Sequence, residues 1–159
     1  MKITEQQFDY VYNEYAKEIL NIAYGYTKNK EDSIDIMQNA YVALLKTNKS
    51  FESSEHIKYF LIRVTINESI NFLKSHQYKR VIKNNEFVMN IPDKEDELPY
   101  DLSKIVSILP EKYKTIIILH YYDDMKIKDI SKILKISESA VKKRLERARN
   151  LIKEKIEEE

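Results

Sequence analysis

Apolar side chains in the first half of the chain recur every three or four residues, the period of a helix with one buried face. Phe8, Tyr12, Tyr15, Ile19, Ile22 and Tyr26 mark a helix over 5–26. A polar break from Asn29 to Asp32 separates it from a second helix over 32–47, with the stripe Ile34, Met37, Tyr41, Leu44 and Leu45. The polar stretch from Thr47 to Ser54 reads as a loop around one large aromatic, Phe51. A third helix over 55–75 places Ile57, Phe60, Leu61, Val64, Ile70 and Leu73 on its buried side, with Asn67 a candidate bend. Amphipathic helices of this length can bury their stripes against one another as a small bundle.

The periodicity fades between 80 and 101, where Pro92 and Pro99 interrupt any helix and the run PDKEDELP is strongly acidic. Beyond it, Ile105, Ile108 and Leu109 indicate a short helix that Pro110 ends or resets. Residues 111–122 follow, with Tyr113, Ile116, Ile117 and either His120 or Tyr121 inward. Helices over 127–134 and 138–155 complete the pattern. The expected fold is all-α: two small helical domains, 1–80 and 102–159, joined by a flexible acidic linker over 81–101.

Composition agrees with that pattern and narrows the chemistry. One Gly and three Pro among 159 residues leave few helix breakers. Without cysteine there is no disulfide, thiolate metal site or thiol switch. His56, His76 and His120 are scattered with no second ligand at metal-binding spacing, so no metal or other cofactor is expected. The first residues, MKITEQQFDY, lack the apolar core of a signal peptide, and no run approaches the roughly 18 apolar residues of a membrane span. A soluble, cytoplasmic protein without membrane insertion is expected.

The net charge of +1 conceals a marked asymmetry. Residues 126–155 carry 11 basic and 4 acidic side chains, whereas residues 82–101 carry 2 basic and 6 acidic. A C-terminal segment of such sign is a cue for nucleic acid, although each Lys or Arg taken singly reads first as a solvated charge.

The basic segment also has the pattern of a helix-turn-helix. Ile127, Ile130, Ile133 and Leu134 give its first helix one apolar side, and Lys135, Ile136 and Ser137 make a turn of suitable length. Ser137 is placed to cap the next helix. Val141, Leu145, Ala148 and the pair Leu151 and Ile152 would bury that helix. Its other side carries the candidates for reading bases: Ser139, Lys142, Lys143, Arg144 and Arg147. Lys126, Lys128 and Arg149 are candidates for holding phosphates. Lys135 stands where such turns often have Gly, and a left-handed backbone there would cost about 1 kcal/mol.

Taken together, the motifs resemble those of the extracytoplasmic-function sigma factors, the small two-domain specificity subunits of bacterial RNA polymerase. The similarity covers about residues 5–80 and 102–155. The family's acidic dipeptide followed by Asp-x-x-Gln-x-x-aromatic stands here as Glu31-Asp32, then Asp35, Gln38 and Tyr41. Its aromatic loop and the Trp-Leu-Tyr-Arg-Ile-x-x-Asn helix correspond to Phe51 and to Phe60-Leu-Ile-Arg-Val-Thr-Ile-Asn67. The Leu-Pro opening of the second domain is Leu109-Pro110. The signature Thr-Val-x-x-Arg-x-x-Arg-Ala-Arg appears as Ala140-Val-Lys-Lys-Arg144-Leu-Glu-Arg147-Ala-Arg149.

The resemblance implies roles. Asp35, Gln38 and Tyr41 would dock on core RNA polymerase, at its largest catalytic subunits. Phe51, Arg63, Asn67, Asn71 and Lys74 would bind the −10 promoter element, with a base captured out of the stack near Phe51 and Asn67. For Phe51 and Phe60, simple packing is the competing reading, and for Phe60 the favoured one. The basic helix would read the −35 element, and the acidic linker would enter the polymerase's RNA exit path. An anti-sigma protein is the further partner implied, and no small-molecule substrate is. Departures from the pattern are Phe60 for Trp, Ile62 for Tyr and Ala140 for Thr; the reduced aromatic surface implies weak intrinsic melting.

The leading alternative is a free-standing helix-turn-helix regulator with a helical dimerisation domain. A second is an interaction module whose basic helix meets an acidic protein. No nucleophile–base pair or phosphate loop suggests an enzyme.

Overall fold

The computed structural model describes residues 3–82 and 100–158, with side chains placed for 3–75 and 104–158. Its helices are α1 (Glu5–Thr27), α2 (Lys30–Lys46), α3 (Ser54–Ile82), α4 (Tyr100–Ser107), α5 (Glu111–Ile117), α6 (Ile127–Leu134) and α7 (Glu138–Glu158). A π turn, Ile118–Tyr122, extends α5. No strand occurs among the described residues, as an all-α chain requires. The chain divides into two compact units, Met1–Pro92 and Asp93–Glu159. Most of the acidic segment, including Glu95, Asp96 and Glu97, lies outside the described residues.

In the first unit α1, α2 and α3 all pack on one another. Helix α1 starts with a capping box: the Gln7 amide donates to Thr4 Oγ1 at 3.1 Å, and the Thr4 amide donates to Gln7 Oε1 at 2.8 Å. Between α1 and α2 only Lys28 and Asn29 are non-helical, a tighter connection than the polar break suggested. Lys28 takes a left-handed conformation that ends α1, and Asn29 Oδ1 accepts from the Asp32 amide at 2.9 Å. The hydroxyls of Thr27 and Ser33 meet at 2.7 Å beneath this corner, and Ser33 also donates to the Asn29 carbonyl at 2.6 Å. Acidic Glu31 and Asp32 in the first turn of α2 favour the positive end of its dipole.

The core of this unit is formed by Val11, Ile19 and Ile22 of α1, Ile36, Ala40 and Leu44 of α2, and Leu61, Ile62 and Ile66 of α3. Two stripe assignments therefore shift. Leu45 is 50% exposed while Ile36 and Ala40 are buried, so α2 is rotated relative to the sequence stripe. In α3 the buried line includes Thr65 and Ser69, small polar residues that a hydrophobic pattern does not mark. Thr65 donates its hydroxyl to the Leu61 carbonyl at 2.7 Å, which satisfies it within the helix. Helix α3 continues without interruption through Asn67 and extends to Ile82, past the expected end.

In the second unit α7 packs on α4, α5 and α6. Pro110 separates α4 from α5, and its carbonyl accepts from the Lys114 amide at 2.9 Å. Ile116 to Leu119 are four consecutive buried residues, a density the π turn accommodates by widening the helix. Ile108 is 62% exposed, and Val106 joins Ile105 and Leu109 in the core.

Candidate nucleic-acid and polymerase interfaces

The helix-turn-helix forms from the residues expected. Ile130 and Ile133 of α6 face Val141, Leu145 and Ala148 of α7, and all five are buried. Lys135 is left-handed, with φ 58° and ψ 43°. Ser137 caps α7 by accepting the Ala140 amide at 3.0 Å. Ser131 donates its hydroxyl to the Ile136 carbonyl and closes the turn. The bend between the two helices is thus held by both apolar packing and local hydrogen bonds.

The buried side of α7 fixes what its outer side presents. At about 100° per residue, Ser139 and Lys143 point away from the core, with Lys142 on one flank and Arg147 towards the other. All four are exposed. Arg144 does not share their centre. It is half-buried and lies about 160° around the axis from Lys142. Arg144 therefore lies on the flank opposite Lys142, a position better suited to a backbone contact than to the groove floor. Lys126 and Lys128 are exposed at the start of α6. Arg149 lies on the Lys142 flank, with its Nε donating to the Tyr121 hydroxyl at 2.9 Å.

On α3, Arg63, Asn67, Asn71 and Lys74 fall within about 80° of arc, together with Phe60. Asn67, Asn71 and Lys74 are exposed and Arg63 is half-buried. Phe51 and Phe60 are both half-buried and meet edge to face, with centroids 5.4 Å apart. Lys49 lies over the Phe60 ring at 5.6 Å. Packing and exposure thus coexist in both rings: each rests on the other and leaves an edge accessible beside the polar stripe. Ile62, by contrast, is fully buried and belongs to the core of the bundle.

On α2, Asp35 and Gln38 are exposed on one face. Tyr41 is corrected. It is only 3% exposed, its hydroxyl donates to the Val11 carbonyl at 3.0 Å, and its ring meets Phe8 and Tyr12. It holds α2 on α1 and offers no docking surface. The face instead continues through Val42 and Leu45, which are 44% and 50% exposed. Their spacing of seven residues from Asp35 and Gln38 could have revealed them, since seven residues are nearly two helical turns.

No three His, Asp or Glu side chains gather as a metal-binding group among the described residues. None of the described helices is long and apolar enough to cross a membrane.

These surfaces lie in segments shared with known proteins. Residues 11–78 match the model of Sigma-70 region 2, and residues 101–152 that of Sigma-70, region 4. The RNA polymerase sigma factor SigV of Bacillus subtilis is 30% identical over 141 residues, covering 88% of this chain and 85% of that protein. The ECF RNA polymerase sigma factor SigM of the same organism is 25% identical over 151 residues, covering 91% and 92%. CnrH, solved in complex with the cytosolic domain of CnrY, shares the fold with a TM-score of 0.66 at 16% identity, covering 98% of this chain and 91% of that one. RpoE of Bartonella quintana, solved with the anti-sigma factor NepR, gives 0.63 at 18%, covering 94% and 96%.

Proposed function

Because the chain belongs to the extracytoplasmic-function sigma factors, we propose that its two helical units divide the work of promoter recognition. As a member of that family it binds core RNA polymerase and directs initiation at chosen promoters. The exposed face of α2 makes the polymerase contact, with Asp35 and Gln38 supplying polar partners and Val42 and Leu45 the apolar area. The stripe Arg63, Asn67, Asn71 and Lys74, beside Phe51, takes the −10 element. Asn67 has both a donor and an acceptor to offer a flipped base. Ser139, Lys142, Lys143 and Arg147 read the −35 element, while Lys126, Lys128, Arg144 and Arg149 hold the backbone.

The observation that carries this reading is the occurrence, in one chain, of two separately folded surfaces of suitable chemistry. One is a stripe of amides and cations beside an edge-to-face aromatic pair, and the other a capped basic helix. Run-off transcription with purified core enzyme tests it. Initiation at a defined promoter should depend on added protein, and Asn67→Ala should depress strand opening while leaving polymerase binding intact. Tight operator binding by the protein alone, with no effect on core enzyme, would instead support the free-standing regulator.

The chain works in the cytoplasm under this proposal, where polymerase and DNA are. The complex of RpoE with NepR also motivates an anti-sigma protein as a partner of this chain.

A further inference from the structure

Arg149 is engaged within the protein, yet not by an acid. Its Nε donates to the Tyr121 hydroxyl at 2.9 Å, and its guanidinium carbon lies 5.8 Å from the centre of the Tyr121 ring. No carboxylate forms an ion pair with it among the described residues. Tyr121 is 48% exposed on the π turn, and its ring is braced edge to face by His120 at 4.9 Å. His120 is in turn tied back, its Nδ1 donating to the Met125 carbonyl at 3.2 Å.

The donor inventory of this pair is one-sided. The phenol oxygen accepts from Nε, so the phenol's own proton is left to point outwards. The terminal nitrogens of Arg149 keep their hydrogens as well. The result is an exposed cationic group that offers mainly donors, which suits an anion with several acceptor oxygens. Arg149 also lies within about 20° of Lys142 around α7 and about 10 Å further along its axis. A helix that reads bases near its N-terminus brings a residue so placed to the wall of the groove, where the phosphates run.

We propose that Tyr121 and Arg149 form a clamp for one backbone phosphate of the promoter duplex, with Tyr121 a positioning residue that also donates a hydrogen bond. The inference rests on α7 binding DNA. The π turn brings Tyr121 to this edge, and the phenol keeps the guanidinium extended before DNA arrives, lowering the ordering cost of the contact.

Promoter binding by core polymerase reconstituted with the full chain, measured across a range of salt concentrations, tests the clamp. Arg149→Gln should reduce the slope of log affinity against log salt by about 0.9, the loss of one neutralised phosphate. Tyr121→Phe should weaken binding by roughly 3- to 10-fold with most of that slope retained, because the lost hydroxyl is uncharged. The double variant should bind no more than about twofold worse than Arg149→Gln alone, because members of one network are not additive. Wild-type affinity and slope in both single variants would overturn the clamp. So would variants that lower only the melting temperature, which would make the pair a tie between α5 and α7. Loss of affinity for core enzyme without DNA would overturn it in favour of an acidic protein surface. Promoter-specific binding by the wild-type complex and its loss in Lys142→Ala check the DNA-binding reading separately.

Discussion

Tyr41 illustrates how one atom can decide a role. The phenol combines an aromatic body, which fills the gap between α1 and α2, with a hydroxyl that satisfies the Val11 carbonyl. Burial, with Tyr12, Tyr15 and Glu18 nearby, holds its pKa well above the ordinary 10.0. The folded protein keeps the proton at a pH where the unfolded chain gives it up. The stabilisation is therefore whole below about pH 10 and is lost as the pH rises towards the folded value. Tyr41→Phe should cost about 1 kcal/mol in urea unfolding at neutral pH, and the gap from wild type should narrow in alkali. A sequence pattern records Tyr41 as aromatic but not where its hydroxyl ends, which is why the docking assignment failed there. The same limit applies to Arg144, whose place on the flank depends on the rotation of α7 against its core. Promoter-binding titrations separate the cations: Lys142→Ala should relax base preference by about 1–3 kcal/mol, whereas Arg144→Gln should weaken all sequences alike.

At the scale of elements, the turn between α6 and α7 was legible almost residue by residue. Ser137 followed by an apolar repeat is a strong helix start, and α6 has an apolar side too regular to misplace. The π turn was not legible, because four successive isoleucines and leucines fit any fully buried segment. Nor was the length of α3, whose last turns lack a clear apolar stripe. The backbone here carries some strain: Lys28, Asp124 and Lys135 are left-handed without being glycine. Lys135→Gly should raise the stability of the second unit by about 0.5–1 kcal/mol, while Ser137→Ala should lower it by about 1 kcal/mol. Thermal melts of the two variants should thus move in opposite directions; a Lys135→Gly protein that melts lower would show that the strain is already relieved.

Across the whole molecule, charge is unevenly distributed. Basic residues gather in α6 and α7, the helices proposed to meet DNA, and the acidic run PDKEDELP falls, in sequence, at the boundary of the two units. Under the proposed division of work, modest affinity of each unit would suffice once polymerase holds both on one promoter, because the second contact becomes intramolecular. Neutralising Glu95, Asp96 and Glu97 to their amides should lower the yield of full-length transcripts relative to abortive ones if the acidic run occupies a channel for nucleic acid. Unchanged transcript ratios would remove that role from the linker. Both helical units, their order and the chemistry of each surface could be read from the sequence. The exposed partners of those surfaces were less legible: a seven-residue spacing places Val42 and Leu45 beside Asp35 and Gln38, but their exposure, like that of Tyr121, is a property of packing and not of residue type.

The outer face of α2 mixes Glu31 and Asp35 with Val42 and Leu45, whereas α7 from Ser139 to Arg149 presents mainly cations. The two interfaces should therefore answer differently to the ionic environment. Covering Val42 and Leu45 releases water from apolar surface, so calorimetry of docking on polymerase should show a negative heat-capacity change. Promoter contact releases counterions and weakens steeply with salt. Under the proposed roles, a rise in salt loosens the hold on DNA before the hold on the enzyme, leaving the polymerase loaded and waiting when the salt falls again.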